Sequence, residues 1–222
     1  MQRTRIKICG ITSVEDALAA ARAGADAIGM VFYKPARRCV TIERARDIMA
    51  ALPPFITPVG LFVDADVNEM RETIESLGLR HVQLHGHETP ETVSALHDRI
   101  VLKAVRVVPE TLAVELQAWR AAILTYSLNN LRGLILETAG PGIGGTGIEN
   151  DWAAIARLQR EGAFDGMPSL IAAGGLRPDN VAQVIRQLQP WAVDVSSGVE
   201  EAPGRKSPEK IDAFVAAVRG AV

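Results

Sequence analysis

Cys9 ends the run Lys7-Ile8-Cys9-Gly10 and Glu137 ends the run Leu134-Ile135-Leu136-Glu137, and a thiol and a carboxyl are groups that move protons. A thiol near cationic groups and helix N-termini has a depressed pKa, so Cys9 reads as a general base near neutral pH. The commoner fate of such a residue is an inert, buried cysteine. A carboxyl drawn partly out of water keeps its proton toward neutrality, which makes Glu137 a candidate general acid. Its plainer reading is a strand-end carboxylate bonded to a neighbouring Lys or Arg.

Two glycine-bearing turns near the C-terminus have the character of an anion cradle, Ala172-Ala173-Gly174-Gly175-Leu176 and Asp194-Val195-Ser196-Ser197-Gly198-Val199-Glu200. Turns of this kind aim unpaired N–H groups, and the positive end of a helix dipole, at a phosphate. The expected ring is Gly174, Gly175, Ser197 and Gly198, set against two ordinary turns that needed glycine. Arg37 and Arg38 follow Tyr33-Lys34-Pro35-Ala36. A guanidinium fork holds a planar carboxylate through two parallel hydrogen bonds, the role open to Arg38, whereas Lys34 and Arg37 read as a solvated basic loop. His85 closes Val82-Gln83-Leu84 and either orients a substrate or fills a polar gap; His81, His87 and His97 read as surface or framework residues.

These groups converge only if a scaffold brings distant chain segments to one rim. Short apolar runs alternate with longer amphipathic stretches, the pattern of βα units closing a parallel sheet. Eight strands are expected, at Arg5 to Cys9, Ala27 to Phe32, Pro58 to Val63, His81 to Leu84, Val101 to Val105, Leu134 to Glu137, Ser169 to Ala172 and Ala192 to Val195. Several are apolar at consecutive positions, as strands buried on both faces should be. Helices are expected at Ser13 to Ala23, Thr41 to Ala51, Asp66 to Leu77, Pro90 to Leu96, Thr111 to Trp119, Trp152 to Arg160, Pro178 to Leu188 and Pro208 to Val218, with Ser13 and Thr41 as N-caps. The fold class is therefore α/β, a (βα)8 TIM barrel over residues 1–222 as one catalytic domain, with chemistry on the loops after the strands.

Composition narrows the partners. The 222 residues are 48% apolar and carry a formal net charge of -2, from 24 basic and 26 acidic side chains, with no basic stripe for a nucleic acid. No long apolar stretch opens the chain and no 18 consecutive apolar residues occur, so no membrane partner and a cytoplasmic location are expected. The two cysteines, Cys9 and Cys39, form no CxxC pair and have no His spaced as a zinc partner, so neither a disulfide scaffold nor a metal site is expected.

Taken in order, KICGIT at 7–12, ARRCV at 36–40, VGLFV at 59–63, VQLHG at 82–86, GGTG at 144–147, DW at 151–152, AGGL at 173–176 and DVSSGVE at 194–200 make the chain similar to the phosphoribosylanthranilate isomerase family over nearly its whole length. The resemblance implies a cofactor-free Amadori rearrangement of N-(5-phosphoribosyl)anthranilate, a phosphorylated aminosugar, in tryptophan biosynthesis, by a monomer or homodimer. It also implies Cys9 as the base at sugar C2, Glu137 as the acid, Arg38 on the anthranilate carboxylate, Asp194 and His85 near the sugar, and a mobile cover at Gly144 to Gly147. Glu137 stands where the family has an aspartate, Asn150 where it has an aromatic residue, and Arg37 where it has a proline. The extra methylene of Glu137 moves the carboxyl by roughly a bond length, and a misplacement of about 1 Å can cost on the order of a hundredfold in rate. Two rival readings are an isomerase of the histidine-biosynthesis type, which uses paired aspartates on a substrate with two phosphates, and a phosphate-ligand binding barrel without turnover.

Overall fold

The computed structural model describes residues 3–138 and 149–221. Gly144 to Gly147 lies outside the described residues.

Eight parallel strands close into a barrel in sequence order: β1 Arg5–Cys9, β2 Ala27–Val31, β3 Thr57–Phe62, β4 His81–Leu84, β5 Ile100–Val107, β6 Leu131–Thr138, β7 Ser169–Ala172 and β8 Ala192–Val195. The ring is completed by β1 pairing with β8, Lys7 opposite Asp194. Between and after the strands run α1 Val14–Ala23, α2 Ile42–Ala51, α3 Val67–Leu77, α4 Pro90–Ala95, α5 Leu112–Thr125, α6 Trp152–Arg160, α7 Val181–Leu188 and α8 Pro208–Arg219. The fold class is thus the (βα)8 barrel that the alternating apolar runs call for.

Local chemistry accounts for the helix starts. Ser13 and Thr41 cap α1 and α2, their hydroxyls accepting from the N–H of Asp16 at 3.1 Å and of Arg44 at 3.2 Å. Such a cap is worth about 1 kcal/mol. Gly24 and Gly78 end α1 and α3 in the left-handed conformation. Two helices differ from expectation. α5 runs on past Trp119 to Thr125, because Arg120, Ala121, Ala122 and Leu124 are good helix formers with no breaker among them. α7 starts at Val181 rather than Pro178, because Asn180 Oδ1 accepts from the Arg177 N–H at 2.7 Å and holds residues 177–180 in a turn.

After β8 the chain makes a 3-10 turn, Ser197–Val199, and then an antiparallel pair, β9 Glu200–Ala202 and β10 Arg205–Lys206, before α8. This departs from the expected turn leading into a helix N-terminus. It matters for the site, because it returns Lys206 to the barrel rim.

One large apolar core lies between strands and helices, including Ile6, Ile8, Ile28, Leu134 and Phe214 at 2% exposure or less. Inside the barrel, Ala104, Ile135, Ile171, Ala173 and Ala192 fill one layer, and Cys9, Val31, Leu61 and Val63 cluster toward the upper rim. The interior is not wholly apolar: Lys7, Gln83 and Asp194 are buried there. Gly29 makes the room, since a Cβ at that position would lie 2.8 Å from Cys9 Sγ and 3.2 Å from Lys7 Cε.

Candidate active site at the C-terminal rim

The candidate catalytic, substrate-binding and phosphate-binding residues of the sequence line one cleft at the C-terminal ends of the strands. Its volume is about 690 Å³, part of it open to solvent, and its walls carry Cys9, Arg38, His85, Glu137, Asp194, Gly174, Gly175, Ser197 and Gly198. Strand geometry brings them there. Side chains two apart on a strand share a face, so Lys7 and Cys9 both point into the barrel, as do Gln83 and His85 on the fourth segment. Glu137 is the penultimate residue of β6 and Asp194 the third of β8.

Burial governs the electrostatics. Burial raises the Glu137 carboxyl to about 7, with the nearby Asp194 charge adding to it and Lys7 and Arg106 opposing. A carboxyl of that pKa is half protonated near neutrality, which suits an acid. Cys9 departs from the expectation of a depressed pKa: the residue is 7% exposed, and burial pushes its thiol up by more than Lys7 and Lys206 pull it down. The rim cations are present, but desolvation of a thiolate outweighs them. His85 falls to about 3, from burial first and then Lys7, Lys103 and Arg106, so it works as a neutral ring. Its Nδ1 is hydrogen-bonded to the Gln83 amide at 2.8 Å.

Lys7 Nζ donates to Asp194 Oδ2 at 2.8 Å, both side chains nearly inaccessible. Burial opposes the lysine's charge, yet Asp194 and Cys9 more than offset that and keep it cationic. Asp194 Oδ1 is buried without a hydrogen-bond partner among the described residues, a free acceptor at the cleft wall.

Arg38 lies across the turn after β1, where a Cβ on Gly10 would meet Arg38 Cδ at 2.4 Å. Its fork is not idle. Nε and Nη2 each donate to the Glu200 carboxylate at 2.7 Å, and Lys206 Nζ donates to the same carboxylate at 2.9 Å. One edge of the guanidinium is therefore held by the protein, and a ligand carboxylate would meet the edge that carries Nη1.

The two glycine turns touch. Gly174 and Gly175 have φ of +88° and +65°, and a Cβ on Gly198 would sit 1.9 Å from the Leu176 carbonyl oxygen. Any side chain at position 198 would force the turns apart. Beside them, Asn150 donates to the Leu136 and Ala173 carbonyls at 3.2 and 2.8 Å, tying the ends of β6 and β7 together.

Sequence reasoning passed over Lys7, Glu200 and Lys206. Lys7 carried a signal, because it precedes Cys9 by two residues and must share its face. Glu200 and Lys206 carried none, since their role depends on the pairing of β9 with β10.

Comparison with known proteins follows this geometry. A family model described as N-(5'phosphoribosyl)anthranilate (PRA) isomerase matches residues 6–217. The N-(5'-phosphoribosyl)anthranilate isomerase of Pseudomonas syringae pv. tomato is 49% identical over 222 residues, covering 99% of this chain and all of that one. That of Acidithiobacillus ferrooxidans is 47% identical, with 99% and 100% covered. Among solved structures, phosphoribosyl anthranilate isomerase from Thermotoga maritima superposes with a TM-score of 0.85 at 37% identity, over 98% of this chain and 99% of that one. A phosphoribosyl anthranilate isomerase in complex with reduced 1-(o-carboxyphenylamino)-1-deoxyribulose 5-phosphate gives 0.82 at 35%, with the same coverage.

Proposed function

Because the chain belongs to the N-(5'-phosphoribosyl)anthranilate isomerase family and is an isomerase of tryptophan biosynthesis, we propose that it works as one catalytic unit with Cys9 as general base and Glu137 as general acid. The observation that carries this reading is that both groups line one cleft together with the contacting glycine turns.

In the first step Glu137 donates its proton to the furanose ring oxygen. The C1–O bond breaks, and the anthranilate nitrogen lone pair forms the C1=N bond of an iminium. Cys9 then takes the proton from C2, the C–H electrons form a C1=C2 bond as the C1=N pair returns to nitrogen, and the resulting enolamine tautomerises to the ketone. The phosphate rests at Gly174, Gly175, Ser197 and Gly198, Arg38 meets the anthranilate carboxylate through its free edge, and Asp194 and His85 face the sugar. Each positioned proton transfer is typically worth about a hundred to ten thousand fold in rate. Ketonisation closes the cycle, Cys9 returning its proton to C1 and the Glu137 carboxylate taking the enol proton, so both groups are restored and the proposed reaction needs no cofactor.

Support for a substrate with one phosphate and one carboxylate comes from two anion-accepting features of the cleft wall, the glycine turns after β7 and β8 and the Arg38 guanidinium. The experiment is direct. Purified protein should consume the fluorescence of phosphoribosylanthranilate, and the gene should rescue a tryptophan auxotroph lacking this step. Phosphate-ester binding without turnover, and no rescue, would instead leave a binding barrel.

A further inference from the structure

We propose that Lys7 is the positioning residue for the reaction's base: its ammonium, wedged between Cys9 and Asp194 inside the barrel, fixes the sulfur and stabilises the thiolate. The inference rests on the reading of Cys9 as base and names what makes that base usable.

The geometry is specific. Lys7 is 4% exposed, its Nζ donates to Asp194 Oδ2 at 2.8 Å, and its Cε and the Cys9 Sγ flank the same point at Gly29, 3.2 and 2.8 Å from where a Cβ would stand. Its stem fits because β2 offers Gly29 at the facing position, where any Cβ would press on Lys7 Cε and Cys9 Sγ together. A lysine pointing into a barrel interior costs desolvation, which its Asp194 partner offsets. Placement of that buried pair beside the Cys9 sulfur is what an ion pair serving stability alone would not need.

The charges facing Cys9 come from several elements. Lys7 on β1 and Lys206 on β10 lower its pKa, Asp194 on β8 raises it, and Arg38 interacts with it from the loop after β2. Glu137 on β6 and His85 after β4 reach it through Lys7 and Asp194, the groups they interact with directly. Of these, Lys7 exerts the largest pull toward thiolate.

That pull matters because the acid titrates at about 7 and the thiol above its ordinary range, so the productive form, thiolate with protonated Glu137, is a minority tautomer of the singly deprotonated pair. Each unit by which a cation lowers the thiol pKa enlarges that minority tenfold.

The test reads the thiol itself. In a Cys39→Ser background, the pH dependence of iodoacetamide alkylation at Cys9, followed by mass spectrometry, gives its pKa. Lys7→Met should shift it up by about one to three units, the span of a close opposite charge. Asp194→Asn should shift it down, because the thiolate loses a repelling neighbour and Lys7 loses a competitor. Lys7→Met/Asp194→Asn, which replaces the buried pair with neutral groups, keeps the test available if Lys7→Met does not fold, and should lie above the unaltered protein. The alkaline shift in Lys7→Met should reappear in the kcat/KM profile. A thiol pKa that is unchanged, or that moves the same way in Lys7→Met and Asp194→Asn, overturns the proposal. Normal turnover in a Cys9→Ala protein would overturn the base reading and leave the titration interpretable.

Discussion

Cys9→Ala is expected to lower kcat by about a hundred to ten thousand fold while leaving KM within a few-fold of its original value. The loss corresponds to roughly 3 to 5 kcal/mol of transition-state stabilisation. The split follows from where the sulfur acts. On the proposed reading it meets the C2 proton only in the transition state, whereas the phosphate and carboxylate ends of the substrate are held elsewhere. Steady-state kinetics with folding checked by circular dichroism measures this. A Cys9→Ala enzyme with near-normal kcat would remove the thiol from the mechanism. Stability should change little, because the side chain lies at the rim beside Val31, Leu61 and Val63 and can be shortened without opening a deep cavity.

Glu137→Gln is the second large effect, expected at about a hundredfold or more in kcat. It also carries a pH signature with a definite sign. In the unaltered protein the acid limb of kcat/KM should fall near pH 7, where the raised Glu137 titrates and the pair loses its first proton. Below that pH both groups are protonated and no base exists. Above the thiol pKa both are ionised and no acid remains. With glutamine at 137 only the thiol titrates, so residual activity should rise through alkaline pH instead. A profile for Glu137→Gln that keeps its limb near 7 would assign that ionisation to another group.

Much of this arrangement is legible in the chain because a barrel reads out by period. Residues at strand ends reach the rim, so the sequence alone places Cys9, His85, Glu137 and Asp194 there, and the glycine turns after β7 and β8 with them. Charge partners were less legible. Arg38 and Glu200 are 162 positions apart, and the guanidinium that seemed open for a ligand is half committed to Glu200. Lys206 is hidden for a related reason. Glu200–Ala202 and Arg205–Lys206 are too short and too polar to show strand alternation, yet their pairing buries Lys206 against Ser196 and Glu200. The direction of the thiol's pKa is not legible either, because nearby cations are readable from sequence and the depth of burial that outweighs them is not.

Asn150, where the resemblance implies an aromatic residue, has a structural role. An amide that donates to both the Leu136 and Ala173 carbonyls binds the end of the acid-bearing strand to the first glycine turn, a function an aromatic ring could not perform. The same tie bears on Glu137, whose neighbour Leu136 it anchors.

The central claim is tested most directly by a crystal structure of this protein with reduced 1-(o-carboxyphenylamino)-1-deoxyribulose 5-phosphate. The result expected is Cys9 Sγ and the Glu137 carboxyl both in contact with the sugar carbons and oxygens, with the phosphate on the N–H groups of Gly174, Gly175, Ser197 and Gly198. An analogue bound with its phosphate away from those turns, or with Glu137 turned from the sugar, would contradict it.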